Sequence, residues 1–435
     1  MAEIDSMVHR ANRLGLFNGN VLVAEQGRVI YKTAIGFADA SGNTRLTTAY
    51  RFQIGSIAKE FNAVGIMMLV DQGKLNLDDK VSKYMPMLPQ WANKISIKNL
   101  LQYTSGLPEI KWNSVKNDAD ALANLENLEK LDYEPGTSYR YNNSNVFLQR
   151  RIIEKITGLP FKNFVEQKIL KPLGMNASII DPNEKDALIA NGFNDDKKQD
   201  ELYYPISGWT AVTLDDFFKW AKSIENFKLI TAVSTRKILY PAGPNEQAGL
   251  GGGSMDGNKV INHVHDGSVL NYQALEVTDA LHGRTIIIMS NNKQGNVYNL
   301  NTAIQNILDG KPYDHPKKSI LKQYHSTIDT ISGNRFLKFY TELKMKDTKV
   351  YAFENPSTLN EIGYYLLGNN READAIIVFE YNTKLFPKSG NVFDSLGEAY
   401  YKGGNKEKAL VNYKKSFELD PTNINDRKVI LELGK

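Results

Sequence analysis

Apolar residues near the N-terminus follow two different periods. In residues 4–16 they recur at helical spacing, which predicts a short amphipathic helix. The segments 20–24 and 28–31 instead have strand character and are separated by Gln26-Gly27, so they predict the two strands of a hairpin. The chain therefore begins with one helix and one pair of strands.

From about residue 56 to residue 240 the period is helical, with Pro and Gly in the loops. Apolar positions predict helices over residues 58–72, 97–103, 146–157, 161–169 and 214–223. Strand character returns in 259–265, 272–278 and 284–290, and a helix is predicted over 297–308. Strands at both ends of one segment imply a single sheet that is covered by helices, with an all-helical lobe inserted.

The character of the chain changes again after residue 310. Residues 311–330 are polar and predict a linker between a domain at 1–310 and an all-helical domain at 331–435. In the latter, five residue pairs recur at a spacing of 34, which resembles the tetratricopeptide repeat over about residues 355–422. The pairs are Gly363 and Gly397, Ala375 and Ala409, Phe379 and Tyr413, Leu385 and Leu419, and Pro387 and Pro421. Helices at about 331–343 and 423–434 are expected to complete this module.

Composition narrows the classes of partner and chemistry. The chain has 435 residues, 42% of them hydrophobic, which is enough for a sizeable core. Its formal net charge of +4 is small and spread along the chain, so we predict no nucleic-acid partner. Cysteine is absent, which excludes disulfides, thiolate metal sites and cysteine nucleophiles. No apolar run is long enough to predict a membrane span.

The first candidate for chemistry is Phe52-Gln-Ile-Gly-Ser56-Ile-Ala-Lys59, which opens an apolar helix. Ser56 and Lys59 are three residues apart, so their side chains project from one helical face. A serine at a helix start lies in the partial positive charge of that terminus, and a neighbouring amine can accept its proton when burial lowers the amine pKa. On its own this short pattern is more often a capping serine followed by a solvated lysine.

A second candidate lies at Tyr141-Asn-Asn143, before the helix predicted at 146–157. Tyr141 and Asn143 are two residues apart in an irregular stretch, so both side chains can face one cleft. A phenol beside an ammonium group loses its proton more readily and can act as a base, while an amide can hold a substrate carbonyl. Tyrosine and asparagine are also common in ordinary turns.

The third candidate, His263-Val-His265-Asp-Gly267-Ser268, lies near the end of a predicted strand. Gly267 lets a ligand approach the strand edge, and the N–H of Ser268 can face a developing oxyanion. His265 can hydrogen-bond to a substrate carboxylate or to the candidate phenol. His263 shares its strand face, which raises the question of a metal pair. No third ligand follows at a recognisable spacing, so we predict no metal and no cofactor, and two ordinary strand histidines are the simpler interpretation.

In this order, Ser-x-x-Lys, Tyr-x-Asn and His-x-Gly resemble the motifs of the serine β-lactamase-like family, which includes class C β-lactamases, D-Ala-D-Ala carboxypeptidases, D-aminopeptidases and family VIII esterases. Three further stretches are similar to the family's: Gly73-Lys-Leu-Asn-Leu-Asp-Asp79, Leu100-Leu-Gln-Tyr-Thr-Ser-Gly-Leu-Pro108 and Ser207-Gly-Trp-Thr-Ala-Val-Thr-Leu-Asp-Asp216. The resemblance covers about residues 10–310. It implies a β-lactamase-like α/β (α+β) fold, an antiparallel sheet flanked by helices with an all-helical lobe, followed here by the all-α repeat module.

The resemblance also implies catalytic roles. Ser56 is then the acylated nucleophile, Lys59 its activating partner and Tyr141 the shared acid and base. The residues alone do not decide whether Lys59 or Tyr141 is the general base.

Substrate binding is implied for Asn143, His265, Gly267 and Ser268. Asn143 would position the acyl amide or ester, and the backbone amides of Ser56 and Ser268 would form the oxyanion hole. His265 stands where β-lactamases usually have Lys, as in the esterase and carboxypeptidase branches, which weakens the case for β-lactam hydrolysis.

The predicted function is that of a serine hydrolase that works through a covalent acyl-enzyme on Ser56. Its substrate would be a small ester, amide or peptide, and the activity that of an esterase or a D-amino-acid or peptide hydrolase. The alternatives within the family are a β-lactamase and a D-Ala-D-Ala carboxypeptidase. From another class, the chain would be a catalytically weak scaffold that binds a protein partner through its helical repeats. The repeats would otherwise serve self-association.

The resemblance implies work outside the cytoplasm, in the periplasm or after export. The first residues, MAEIDSMVHRANRLG, lack a basic segment followed by an apolar one, so the expectation is an exported protein whose signal is absent from this chain. A cytoplasmic location is the alternative.

Overall fold

The computed structural model of the chain describes residues 1–243, 246–293 and 295–434. These residues form two compact units, Met1–Asp314 and His315–Lys435, each with its own hydrophobic core. Every strand in the described ranges lies in the first unit, together with the three candidate motifs. Of the helices described, none combines the length and the apolar character that crossing a bilayer requires.

The strands of the first unit build two sheets. They are β1 (Gly19–Glu25), β2 (Arg28–Ile35), β3 (Phe52–Gln53), β4 (Ile179–Ile180), β5 (Thr210–Val212), β6 (Gly252–Asp256), β7 (Lys259–Val269), β8 (Tyr272–Asp279) and β9 (Arg284–Ser290). The larger sheet is antiparallel, in the order β2-β1-β9-β8-β7-β6, and the smaller has the order β3-β5-β4. Gly19 pairs with Ser290 across β1 and β9, which confirms one sheet assembled from both ends of the segment.

The other regular elements of the first unit are helices. They are α1 (Ala2–Arg13), α2 (Lys59–Asp71), α3 (Val81–Tyr84), α4 (Ile97–Leu101), α5 (Asp118–Glu126), α6 (Asn143–Thr157), α7 (Phe161–Val165), α8 (Lys171–Leu173), α9 (Leu214–Glu225), α10 (Ala232–Leu239) and α11 (Val297–Leu308). A 3-10 turn at Gly55–Ala58 leads into α2. A π turn at Glu166–Leu170 interrupts the helix that was predicted over 161–169.

The central strands are apolar on both faces because the sheet lies between two cores. Along β1, Val21 and Val23 face the core that contains residues of α1 and α11, whereas Leu22 and Ala24 face the core around α2. In β9 every residue is buried, as its Thr-Ile-Ile-Ile-Met run requires. The confirmed fold is thus an antiparallel sheet between helical layers.

One glycine-rich segment forms a strand. Gly252–Asp256 are the edge strand β6 of the larger sheet. A Cβ added at Gly253 would lie 2.3 Å from the carbonyl oxygen of Asn262, so glycine there permits close pairing with β7. The glycine marks contact between strands and not a loop.

The second unit consists of helical hairpins. Its helices are α12 (Ile320–Thr330), α13 (Gly333–Asp347), α14 (Pro356–Gly368), α15 (Glu372–Leu385), α16 (Gly390–Lys402), α17 (Lys406–Leu419) and α18 (Ile424–Leu433). The linker predicted over 311–330 is therefore helical in its second half. Ile320 and Ile328 of α12 are buried in the core of this unit, which gives the segment a reason to fold.

Small residues let the helices of each hairpin approach closely. A Cβ at Gly363 would meet the ring of Phe379 at 2.4 Å, and one at Gly397 would meet the ring of Tyr413 at 3.1 Å. The recurring glycine and the recurring aromatic residue thus face each other across each hairpin. The assignment to the tetratricopeptide repeat stays a prediction.

Candidate active site

Ser56 lies in the 3-10 turn between β3 and α2 and is half-buried. The N-cap position of α2 is Ala58, so Ser56 is not the capping residue that the simpler interpretation made it. The three-residue spacing places the Nζ of Lys59 3.1 Å from the Oγ of Ser56. The hydroxyl and the amine are therefore in direct hydrogen-bond contact.

Lys59 is a buried amine and not a solvated one. Burial lowers its pKa to about 7, and the nearby positive charge of Arg150 acts in the same direction, while Glu109 opposes it. An amine with this pKa is half neutral near pH 7 and can accept a proton there.

Tyr141 approaches the serine from the segment before α6. Its hydroxyl donates a hydrogen bond to the Oγ of Ser56 at 2.8 Å, and its ring packs against Tyr103 with centroids 4.7 Å apart. The Nζ of Lys59 lies 5.1 Å from the centre of the Tyr141 ring. Burial raises the pKa of Tyr141, so the sequence expectation of a phenol that ionises easily is wrong in direction.

The end of β7 lies directly against the serine turn. A Cβ at Gly267 would be 1.9 Å from the carbonyl oxygen of Ile54 and 2.7 Å from the backbone nitrogen of Ser56. There is equally little room for a side chain at Gly55, which has a φ of +54°, since a Cβ there would be 2.5 Å from the backbone nitrogen of Ser268. Two glycines therefore allow the backbone amides of Ser56 and Ser268 to lie close together.

His265 is buried, and its Nδ1 points into the protein interior. Its Nδ1 is 2.7 Å from Oε1 of Glu60, so Glu60 and not Tyr141 is the partner that the structure gives it. The same Oε1 is 2.9 Å from Nε2 of His263, and Nδ1 of His263 is 3.0 Å from Oε2 of Glu276. The motif thus ends on a buried cluster of two imidazoles and two carboxylates.

This cluster changes the expectation about metals. Sequence spacing offered no third ligand beside the two histidines, but Glu60, His263 and Glu276 present ligand atoms within 4.8 Å of one another. The 2.9 Å between Nε2 of His263 and Oε1 of Glu60 is a hydrogen-bond distance, so a proton holds this pair, whereas Nδ1 of His263 and Oε2 of Glu276 form an ion pair at 3.0 Å.

Asn143 is the first residue of α6, where an irregular stretch was expected. Its backbone N–H lies 3.1 Å from Oε2 of Glu109, and its side-chain Nδ2 is 3.4 Å from Oε1 of the same carboxylate. Asn142, the N-cap of α6, is buried and donates to the carbonyl of Leu107. The structure therefore groups Asn143 with Glu109, while Ser56, Lys59 and Tyr141 form the hydrogen-bonded centre.

Sequence reasoning missed four charged residues around this centre: Glu60, Glu109, Arg150 and Glu276. Glu60 directly follows Lys59 inside an otherwise apolar helix, which was a signal that it needs a buried partner. Arg150 is buried in α6 and its Nε is 3.1 Å from Oδ1 of Asn62. For Glu109 and Glu276 no short sequence pattern exists, because Asn143 and His263, which they contact, lie on other elements.

Comparison with known proteins decides the family. The sequence model of the Beta-lactamase family matches residues 3–309, well over half of the chain. The chain belongs to the Beta-lactamase family. As a member of this family it is a serine hydrolase of the same superfamily as the penicillin-binding proteins.

The relatives of this family member are distant. Penicillin-binding protein 4* of Bacillus subtilis is 28% identical over 365 residues, which cover 74% of this chain and 79% of that protein. The octameric penicillin-binding protein homologue from Pyrococcus abyssi superposes with a TM-score of 0.59 at 22% identity, covering 71% of this chain and 77% of that one. D-amino acid amidase from Ochrobactrum anthropi, complexed with D-phenylalanine, gives a TM-score of 0.59 at 18% identity, covering 70% and 97%. The two structural matches show that the fold is shared.

Proposed function

We propose that this serine hydrolase works through a covalent acyl-enzyme on Ser56 and hydrolyses ester or amide bonds of small or D-configured substrates. The observation that carries the proposal is the position of the Ser56 Oγ, 3.1 Å from the Nζ of Lys59 and 2.8 Å from the hydroxyl of Tyr141. A nucleophile held between an amine and a phenol has both a base and an acid within reach.

Lys59 is the general base of acylation. Its pKa of about 7 leaves a lone pair available at neutral pH, whereas burial raises the pKa of Tyr141 and keeps the phenol protonated. The neutral amine takes the Ser56 proton as Oγ forms a bond to the substrate carbonyl carbon. The resulting tetrahedral intermediate carries one negative charge on the former carbonyl oxygen.

The backbone N–H groups of Ser56 and Ser268 stabilise that oxyanion. Gly55 and Gly267 supply the close approach of the two segments on which this arrangement depends. Fixed backbone donors need no reorganisation as the charge develops, which is why they lower the barrier effectively.

Tyr141 completes the proton transfers. Its hydroxyl protonates the leaving alkoxide or amine and then takes a proton from the Lys59 ammonium. The two groups are adjacent, since the Nζ of Lys59 lies 5.1 Å from the centre of the Tyr141 ring. In the second half, a water molecule loses its proton through the same groups and attacks the acyl carbon. The acid product then leaves, and Ser56 regains its proton.

His265 favours ester or amide hydrolysis over β-lactam hydrolysis, because the third motif lacks the lysine of β-lactamases. Asn143, His265 and the backbone of Gly267 and Ser268 would contact the acyl part of the substrate. The name of the Ochrobactrum amidase supports D-amino-acid amides as one class to test. The name of the Bacillus relative supports a second candidate function, penicillin binding with D-Ala-D-Ala peptides as substrates.

A substrate panel tests the proposal. Short acyl p-nitrophenyl esters, D-amino-acid amides, D-Ala-D-Ala peptides and nitrocefin are compared on the wild-type chain and on Ser56→Ala, with the exposed Ser41→Ala as matched control. We expect turnover of an ester or amide that Ser56→Ala abolishes and Ser41→Ala retains. Turnover that survives Ser56→Ala unchanged contradicts the proposal and favours a scaffold that binds a partner through its helices.

The helical unit is proposed to contribute binding and not chemistry. Its hairpins are expected to engage a protein partner or a second copy of the chain. Light scattering of the full chain tests self-association: a mass of two or more chains supports it, and a monomer leaves the partner protein as the proposal.

A further inference from the structure

Four ionisable side chains behind the candidate site are almost completely buried: Glu60 and Glu276 are 0% exposed, His263 1% and His265 3%. Glu60 follows Lys59 in α2, and the two histidines alternate along β7. Glu276 lies opposite His265 in the pairing of β7 with β8. Burying four ionisable groups together costs free energy unless each one is paired with another group.

The side of β7 that carries the histidines also reaches the serine. Residues 263, 265 and 267 share one face of the strand because side chains alternate. On that face Gly267 lies against the backbone of Ile54 and Ser56, and His265 lies against Glu60. His265 therefore stands between the serine turn and the buried carboxylate.

The hydrogen bonds of Glu60 determine which nitrogen of His265 carries a proton. Burial acts to raise the pKa of Glu60, but the charge and hydrogen bonds of His263 and His265 outweigh it and hold that pKa below its ordinary value. An ionised carboxylate only accepts hydrogen bonds, so Nδ1 of His265 must donate to Oε1. The other oxygen, Oε2, accepts from Nε1 of Trp220 at 2.6 Å. With both oxygens occupied, the carboxylate has a fixed orientation.

The far side of the cluster holds Glu60 in turn. Burial acts to lower the pKa of His263, but the charges of Glu276 and Glu60 outweigh it and hold that pKa well above its ordinary value. His263 is therefore a cation: its Nε2 bonds Oε1 of Glu60, and its Nδ1 forms an ion pair with Oε2 of Glu276 at 3.0 Å without hydrogen-bond geometry. Thr278 donates to Oε1 of Glu276 at 2.8 Å and restrains this carboxylate.

The ring of His265 is also restrained from the other side. Gly251, at φ +68°, packs so closely that a Cβ there would lie 2.6 Å from Cγ of His265. Among the described residues, Glu60 is the side chain that forms a hydrogen bond with this imidazole, through Nδ1. Nε2 is then the nitrogen left for a substrate group.

We propose that Glu60 is a positioning residue of the hydrolase: it holds His265 with the proton on Nδ1 and so presents Nε2 to the acyl substrate beside Ser56. The inference rests on the proposed function, in which His265 contacts substrate. A carboxylate that fixes the tautomer of an imidazole is a known requirement where the opposite nitrogen takes part in the reaction.

Nitrogen NMR of the wild-type full chain tests the tautomer directly. The chain has six histidines, few enough to assign with ¹⁵N labelling and a His265→Gln reference. We expect a proton on Nδ1 of His265, with or without a second on Nε2. A neutral ring with its proton on Nε2 alone overturns the proposal, and this readout is independent of activity.

Kinetics of Ser56 labelling by a fluorophosphonate test the role. Glu60→Gln is expected to slow labelling by about tenfold or more, the usual loss for a residue that orients another. Asp216→Asn is the matched control, since it removes a buried carboxylate of α9 that contacts the backbone of Ala177 and the side chain of Lys219 instead; its labelling rate should stay within about threefold of wild type. Equal losses in the two variants would indicate general damage to the core and contradict the proposal.

A double-mutant cycle separates positioning from a structural role. If Glu60 acts through His265, then Glu60→Gln combined with His265→Gln labels no more slowly than His265→Gln alone. Additive losses contradict the proposal. Should Glu60→Gln fail to fold, Trp220→Phe removes the bond to Oε2 and keeps the ring stacked on Phe61, and is expected to give a smaller loss with the same non-additivity.

The outcomes also distinguish this inference from the proposed function. If wild-type protein labels at Ser56 and Glu60→Gln labels at the same rate, only the positioning role fails. If Ser56 is not labelled at all, the proposed function fails whatever the tautomer of His265. One equivalent of a divalent metal in purified wild-type protein, lost in Glu60→Gln, would make Glu60 a metal ligand and overturn the proposal.

Discussion

The Nζ of Lys59 lies 3.1 Å from the Oγ of Ser56, and burial lowers the pKa of that amine to about 7. Below pH 7 the amine is protonated and cannot accept the serine proton, so acylation is expected to slow as pH falls through this value. A plot of kcat/KM against pH from 5 to 9 for a p-nitrophenyl ester should rise along a limb centred near 7. A limb centred near 10 would show an ordinary lysine and contradict the assignment.

The hydroxyl of Tyr141 is expected to be needed for proton transfer and not for packing. Tyr141→Phe keeps the ring against Tyr103 but removes the group that donates to Ser56, so kcat/KM should fall by about 10²-fold or more while the melting temperature changes little. Tyr139→Phe is the control, because that hydroxyl accepts from the backbone of Gln247 instead. Comparable losses in both variants would assign the effect to the segment and not to the phenol.

Gly267 is expected to tolerate no side chain. The Cβ of Gly267→Ala would meet the carbonyl oxygen of Ile54 at 1.9 Å, so the end of β7 must move away from Ser56 and the oxyanion donors separate. Loss of one such donor costs about 10²–10³-fold in kcat, which is the loss expected in an ester assay. Gly252→Ala on β6 meets nothing within 4 Å and should remain within about 0.5 kcal/mol of wild-type stability and near wild-type activity. Full activity in Gly267→Ala would contradict the proposed oxyanion hole.

In the helical unit, a carboxylate pair predicts a dependence of stability on pH. Burial, and then a hydrogen bond with Asp426, raise the pKa of Asp394 to about 7. The folded state thus binds more protons than the unfolded state between about pH 4 and 7, so stability falls as pH rises through this window. Asp426→Asn is expected to raise the melting temperature of the full chain at pH 8 and to change it little at pH 4. An equal shift at both values would contradict the pairing.

The local part of the site was predictable from the sequence. The three-residue spacing of Ser56 and Lys59 placed both side chains on one helical face, and the order of the motifs indicated the fold. Contacts between remote elements were not predictable. The residues around Glu60 in the sequence do not indicate that its partner is His263, 203 residues away on β7. The sequence predicted a lowered pKa for Tyr141, whereas the pKa is raised. The nearby positive charge was visible in the sequence, but the extent of burial, which raises the pKa, was not.

The predicted linker shows how composition can mislead. Residues 311–330 are polar overall, but Ile320, Tyr324 and Ile328 recur at intervals of four, the spacing of one helical face. That pattern was the signal for α12, and its two isoleucines are buried. Charge and polarity averaged over a segment hide a narrow apolar stripe of this kind.

The proposed hydrolysis passes through a covalent bond between the substrate acyl group and Ser56. Intact mass and peptide mapping detect this bond after incubation of the full chain with a fluorophosphonate and with a slowly hydrolysed ester. We expect one adduct per chain, located on Ser56 and absent in Ser56→Ala. An adduct on another residue, or one that forms equally in Ser56→Ala, would contradict it.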